Sequence, residues 1–153
     1  MDRLFDFITN PYLLTGIGAW CIAQILKVFI HAAVNRTFDI KRLFGDGGMP
    51  SGHSATVTSL TTLTGLTRGF GSLEFAITAI LAIIVCHDAM GVRREAGKHA
   101  ELLDEMVNLF EEISKEPLPE IRLKKFVGHS PTQVFAGMGI GICIAIFMYF
   151  LLF

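Results

Sequence analysis

The stretch PYLLTGIGAWCIAQILKVFIHAAV, residues 11–34, decides the fold class. It runs for 24 residues with little interruption, and about 20 apolar residues in a helix cross the hydrocarbon of a bilayer. Its polar intruders are Gln24, Lys27 and His31. Spacings of three and four put all three on one helical face. A charge inside an apolar helix is costly and usually faces a cavity, a partner or the headgroups, so Lys27 marks the face to follow.

The rest of the chain has the same character. Hydrophobic residues make up 52% and charged residues 18%, against about 25% charged in a soluble domain. Residues 73–86 and 132–153 are further apolar stretches. Residues 54–66 are rich in threonine and alanine and short for a span, which fits a buried or re-entrant helix. After Cys86 the chain continues as HDAMGVRREAGKHAELLDEMVNLFEEI, with Leu102, Leu103, Met106, Leu109, Phe110 and Ile113 at helical spacing. That pattern describes an amphipathic helix projecting out of the membrane. The connections NRTFDIKRLFGDGGMP (35–50) and EPLPE (116–120) carry loop chemistry. The expected fold is all-α: an integral membrane helical bundle of about four apolar helices plus a projecting amphipathic cytoplasmic helix, forming a single domain over residues 1–153.

Several function classes drop out. The net charge of −1 says nothing about nucleic acid or acidic partners, and no nucleic-acid partner is expected. Cys21, Cys86 and Cys143 lie far apart in apolar stretches and read as small buried hydrophobes. No calcium loop, HExxH or CxxC occurs, so neither a metal nor a cofactor is expected. The start of the chain lacks the pattern of a cleavable signal peptide. Gly137, Gly139 and Gly141 permit close helix packing, in a homo-oligomer among other arrangements.

Sidedness follows from the basic residues. With four crossings, one side holds Arg36, Lys41 and Arg42 together with Arg93, Arg94, Lys98, Lys115, Arg122, Lys124 and Lys125, which makes ten. The other side holds Arg3 and Arg68, two in all. The positive-inside rule assigns the richer side to the cytoplasm, the cell membrane being the location in a bacterium.

Two histidines sit on that side in similar settings. Pro50-Ser51-Gly52-His53 precedes the second helix, and Gly128-His129-Ser130-Pro131 precedes the last. Ser51 and Ser130 suit helix N-caps, and Pro131 suits the first helical position. Helix starts present N–H groups and partial positive charge to a phosphate. Lys27, Arg93, Arg94, Lys124 and Lys125 surround the same place. Two histidines and a set of cations supply the nucleophile, the acid and the charge stabilisation that phosphoryl transfer needs, without a metal.

The blocks GGMPSGHS (47–54), HDAMGVRREAGK (87–98) and VGHSPTQVFAG (127–137) together resemble the divergent branch of the type 2 phosphatidic acid phosphatase superfamily, which includes lipid phosphatases and the vanadium haloperoxidases. The resemblance runs from about Gln24 to Gly141. It implies that Lys27, Ser51 and Gly52 bind phosphate, that His53 protonates the leaving group and that His129 is the nucleophile. Two positions depart from the pattern. The arginine expected before His129 is absent, with Leu123, Lys124 and Lys125 in that neighbourhood, and Arg93 or Arg94 is the candidate replacement. The carboxylate expected four residues after His129 is Gln133, and Asp88 is the candidate substitute. The implied activity is hydrolysis of a lipid phosphomonoester or pyrophosphate through a phosphohistidine, on a phosphatidylglycerol phosphate, phosphatidic acid or polyprenyl phosphate type of substrate. The alternative is a non-catalytic lipid-phosphate binding or transport protein with a degenerate site.

Overall fold

A computed structural model describes residues 2–36, 38, 48–115 and 129–153. Six helices follow in order: α1 (Asp2–Ile8), α2 (Pro11–Asn35), α3 (Gly52–Arg68), α4 (Leu73–Met90), α5 (Val92–Ser114) and α6 (Pro131–Leu152). Among the described residues there is no strand, and the protein is an all-α membrane bundle.

The helices start where their sequences offer a cap. Asn10 Oδ1 accepts from the Tyr12 and Leu13 N–H groups, with Pro11 in the first turn of α2. Ser51, Ser72 and Ser130 accept from the N–H groups of Ser54, Phe75 and Gln133 and so open α3, α4 and α6. Each such cap satisfies a donor that the first turn leaves without a carbonyl.

Three helical stretches are long and apolar enough to cross a membrane: α2, the α4–α5 stretch and α6. Their outer faces expose Ile17, Phe29, Ile83, Phe147 and Phe150, a surface suited to lipid rather than water. The threonine-rich α3 packs against α2, α4 and α6. It runs from the end holding Gln133, where Ser51 N–H donates to the Gln133 carbonyl at 3.0 Å, to the end holding Tyr12, which pairs with Thr67 at 2.9 Å. It therefore traverses the bundle and is not a re-entrant turn. Four of its threonines are accommodated locally, while the buried Thr58 hydroxyl takes no partner among the described residues. Thr56, Thr61, Thr64 and Thr67 donate to the carbonyls of Gly52, Val57, Leu60 and Leu63, one turn back, at 2.8–2.9 Å. Such bonds let hydroxyls sit among apolar helices without leaving orphan donors.

Small residues set the spacing. Ala19, Ala23 and Ala55 are fully buried at the α2–α3 contact. On α6, a Cβ at Gly137 would lie 2.4 Å from the Ser51 carbonyl oxygen, and one at Gly141 would lie 2.5 Å from that of Ala55. The glycine pair of α6 is thus used within the chain, against α3, while a Cβ at Gly139 would meet nothing.

The apolar third stretch continues into its amphipathic tail as one helical run, Leu73–Ser114. Within it the backbone leaves helical geometry at Gly91, which closes α4 by donating its N–H to the His87 carbonyl. Along α5, Leu102, Met106, Leu109 and Ile113 are exposed, and Lys98 pairs with Glu95 at 2.6 Å on the surface.

Candidate active site

The two histidine motifs meet at one end of the bundle. Two main-chain links and one side-chain cap hold them there: Ser51 N–H to the Gln133 carbonyl, His129 N–H to the Ala89 carbonyl at 3.0 Å, and the Ser130 hydroxyl that caps α6. The α3 start is thereby tied to α6, and the residue before the α6 cap is tied to the end of α4. The rings of His53 and His129 stand 6.4 Å apart between centroids and tilt by 56°. His129 is buried and His53 is exposed. Both rings are therefore near enough to reach one ligand bound at this end of the bundle.

The chain matches the Divergent PAP2 family over residues 8–144. It belongs to that family. The divergent PAP2 protein is also 39% identical over 150 residues to the uncharacterized membrane protein YuiD of Bacillus subtilis (strain 168), covering 92% of this chain and 95% of the relative. No solved structure gives a significant match.

Gln133 stands where the superfamily pattern has a carboxylate, and its surroundings define what it does. Its Oε1 accepts the Ser130 N–H at 3.1 Å as the return half of a capping box. A backbone N–H can only donate, so this atom is the amide oxygen. The same oxygen lies 3.1 Å from His129 Nδ1. Nδ1 must then carry the hydrogen of the neutral ring, and the lone pair falls on Nε2. Glutamine therefore fixes the tautomer that a nucleophilic histidine needs, although it brings no negative charge. Gln133 stands beside Nδ1; Asp88 sits in the last turn of α4, next to the Ala89 carbonyl that receives the His129 N–H.

The residues expected to bind phosphate in this divergent PAP2 protein lie on α2 and at the start of α3. Lys27 is 3% exposed. A Cβ at Gly48, whose φ is +100°, would lie 3.3 Å from Lys27 Cγ. Two demands thus coincide at Gly48: a left-handed backbone and room for the lysine stem. Ser51 is fully buried and serves as the α3 cap, its Oγ receiving both Ser54 N–H and Ser54 Oγ–H. The donors left over by the first turn of α3 belong to Gly52 and His53, and the helix contributes partial positive charge there. The side chains of Arg93 and Arg94, and all of Lys124 and Lys125, lie outside the described residues.

Two residues not singled out as site candidates in the sequence flank this cradle. A Cβ at Gly52 would lie 3.2 Å from Trp20 Cδ1 and 3.9 Å from Gln24 Cδ. Gln24 was legible as a member of the Lys27 face through its spacing of three. Nothing in the sequence indicated that this face abuts the α3 start.

A cavity of about 570 Å³ opens at the opposite end of the bundle, lined by Asp6, Asn10, Tyr12, Arg68, Tyr149 and Phe153 among others. It contains neither histidine, so the candidate site is an open cradle at a helix start and not this cavity. Among the described residues no cluster of histidine, cysteine and carboxylate side chains would hold a metal.

Proposed function

We propose that this divergent PAP2 protein hydrolyses a terminal phosphate from a lipid, a phosphomonoester or pyrophosphate, through a phosphohistidine at His129. The observation that carries the reading is the pairing of His53 and His129 across 6.4 Å, with the Gln133 contact placing the lone pair on Nε2 of the buried ring.

In the first step Nε2 attacks phosphorus while the bond to the leaving oxygen breaks, and His53 in its protonated form gives that oxygen its proton. In the second step water attacks the phosphohistidine, neutral His53 takes the water proton, and inorganic phosphate leaves. The Gly52 and His53 N–H groups and Lys27 meet the charge on the equatorial oxygens. Arg93, Arg94, Lys124 and Lys125 are the proposed further cations. Asp88 is proposed to support the end of α4 beneath His129.

The membrane setting supports a lipid substrate, because an open cradle at the end of a lipid-facing bundle admits a headgroup while the tails stay in the bilayer. The basic-residue count supports a cytoplasmic site and inner-leaflet substrates such as phosphatidylglycerol phosphate or phosphatidic acid. Gln133 supports a second reading, binding without turnover, since an amide cannot balance an imidazolium. Phosphate release by the purified protein in detergent, from a panel of lipid phosphates and pyrophosphates, tests both. Release that disappears in His129→Ala supports hydrolysis. Saturable phosphate or vanadate binding without release supports the second reading.

A further inference from the structure

The side-chain oxygen of Gln24 is buried beside the phosphate cradle with nothing to accept. Gln24 is 7% exposed, and its Oε1 takes no hydrogen-bond donor among the described residues. A buried carbonyl oxygen left in that state costs about 1–3 kcal/mol, and such groups are uncommon in folded proteins. Its place makes the orphan informative. Gln24 lies one turn before Lys27 on α2, and its Cδ lies 3.9 Å from where a Gly52 Cβ would be. The acceptor thus stands against the first residue of α3, whose N–H is one of the donors that the first turn of a helix leaves over.

Apart from the His129 Nε2 lone pair, which faces phosphorus in the proposed reaction, the groups assigned to the cradle donate or carry positive charge: the Gly52 and His53 N–H groups, Lys27 and protonated His53. A fully ionised oxyanion satisfies all of those and leaves Gln24 Oε1 unmatched. An oxyanion that keeps one O–H satisfies both kinds of partner at once. We propose that Gln24 is a ligand-contacting residue whose Oε1 accepts from a hydroxyl on the bound phosphoryl group, so that the site selects protonated phosphate over a proton-free tetrahedral dianion of the same shape. The inference rests on the reading of this end of the bundle as a phosphate site. It adds a specificity element that neither histidine supplies.

Trp20 is the chain's single tryptophan, and its Cδ1 would lie 3.2 Å from a Gly52 Cβ. It is a built-in reporter of occupancy. The full-length protein in detergent is titrated at one fixed pH near neutrality with inorganic phosphate, which keeps a P–OH there, and separately with sulfate, which keeps none. Trp20 fluorescence is read in both titrations. The expected result is that the wild type prefers phosphate by about tenfold or more, the effect of one hydrogen bond involving a charged group. Gln24→Met keeps the bulk and removes the acceptor. It should lose that preference by weakening phosphate while leaving sulfate within about twofold, with an unchanged melting temperature. Where Gln24→Met does not fold, Gln24→Glu decides: it keeps an acceptor and adds repulsion toward an anion without a proton, so the preference should widen. A Gln24→Met protein that discriminates as the wild type does, or a Gln24→Glu protein that discriminates less, overturns the role of Gln24 and leaves the cradle standing. A wild type that binds neither anion overturns the cradle itself, and the role of Gln24 with it.

Discussion

At the scale of single residues, the spacing of four between His129 and Gln133 links capping to chemistry. The oxygen that closes the α6 capping box is the same one that holds Nδ1. Removing it should harm both the helix start and the nucleophile. Gln133→Leu is expected to lower turnover by about 10²-fold, the scale on which a misoriented acid–base group matters, and to lower stability by about 1 kcal/mol through the lost cap. Gln133→Glu keeps an acceptor for both donors and adds the missing charge, so it should preserve turnover or raise it. A Gln133→Leu protein with wild-type turnover removes the tautomer argument. His129→Ala and His53→Ala should each cost about 10²-fold or more in phosphate release, and near-normal release by purified His129→Ala would refute the nucleophile assignment. The sequence alone showed both histidines at helix starts and Ser51 and Ser130 as their caps, because capping is a local pattern. It did not show that Ser51 is wholly buried or that Trp20 and Gln24 border the cradle. Those facts depend on the rotation of α2 against α3, which no local pattern encodes.

At the scale of elements, α3 was the least legible from sequence and is the most central in the structure. Its threonines make it look too polar and too short to span. The hydroxyls of Thr56, Thr61, Thr64 and Thr67 bond to carbonyls one turn back, and three apolar helices cover it. Average hydropathy reports the side chains but not this internal pairing, so the three apolar stretches were evident and the fourth remained undecided. The break at Gly91 was hidden for a related reason: the apolar and amphipathic patterns run into each other without a proline. The α6 glycines show the reverse case, a signal with two readings that packing resolves. Gly137 and Gly141 face α3 at distances that exclude a Cβ, whereas Gly139 faces open space. Leucine at 137 or 141 must push α6 away from the Ser51 or Ala55 carbonyl, an overpacking that costs about 1–3 kcal/mol or more. The Ser51–Gln133 link lies at that contact, so Gly137→Leu should also reduce phosphate binding. Gly139→Leu should do neither. Melting temperatures in detergent, with phosphate titrations of the same samples, check this; a Gly139→Leu protein as damaged as Gly137→Leu would show that the effect belongs to helix propensity and not to the α3 contact.

At the scale of the whole molecule, helix direction decides where chemistry can occur. α4 ends where α3 and α6 begin, and α2 passes that level near Trp20 and Gln24 before running on to Asn35, so His53 and His129 share this part of the bundle with Lys27. Arg68 lies at the other end, beside Tyr12 with its guanidinium carbon 6.0 Å from the ring centroid. The histidine end carries the connections with ten basic residues and the far end carries two, Arg3 and Arg68. By the positive-inside rule that imbalance supports the proposed orientation, with the histidine end in the cytoplasm. α5 leaves α4 at the histidine end, and its Glu101, Glu105 and Glu112 are exposed, as a helix in water on that side requires. Single cysteines at Glu112 and at Gly71, both exposed positions at opposite ends, separate the two orientations. They are placed one at a time in a background in which Cys21, Cys86 and Cys143 are replaced. Intact cells are then treated with a membrane-impermeant thiol reagent. The cysteine at 71 should label at once, and the one at 112 only after the membrane is opened. The opposite pattern would turn the cradle to the outer face, where inner-leaflet phospholipid phosphates cannot reach it and a polyprenyl pyrophosphate presented from outside becomes the substrate to assay.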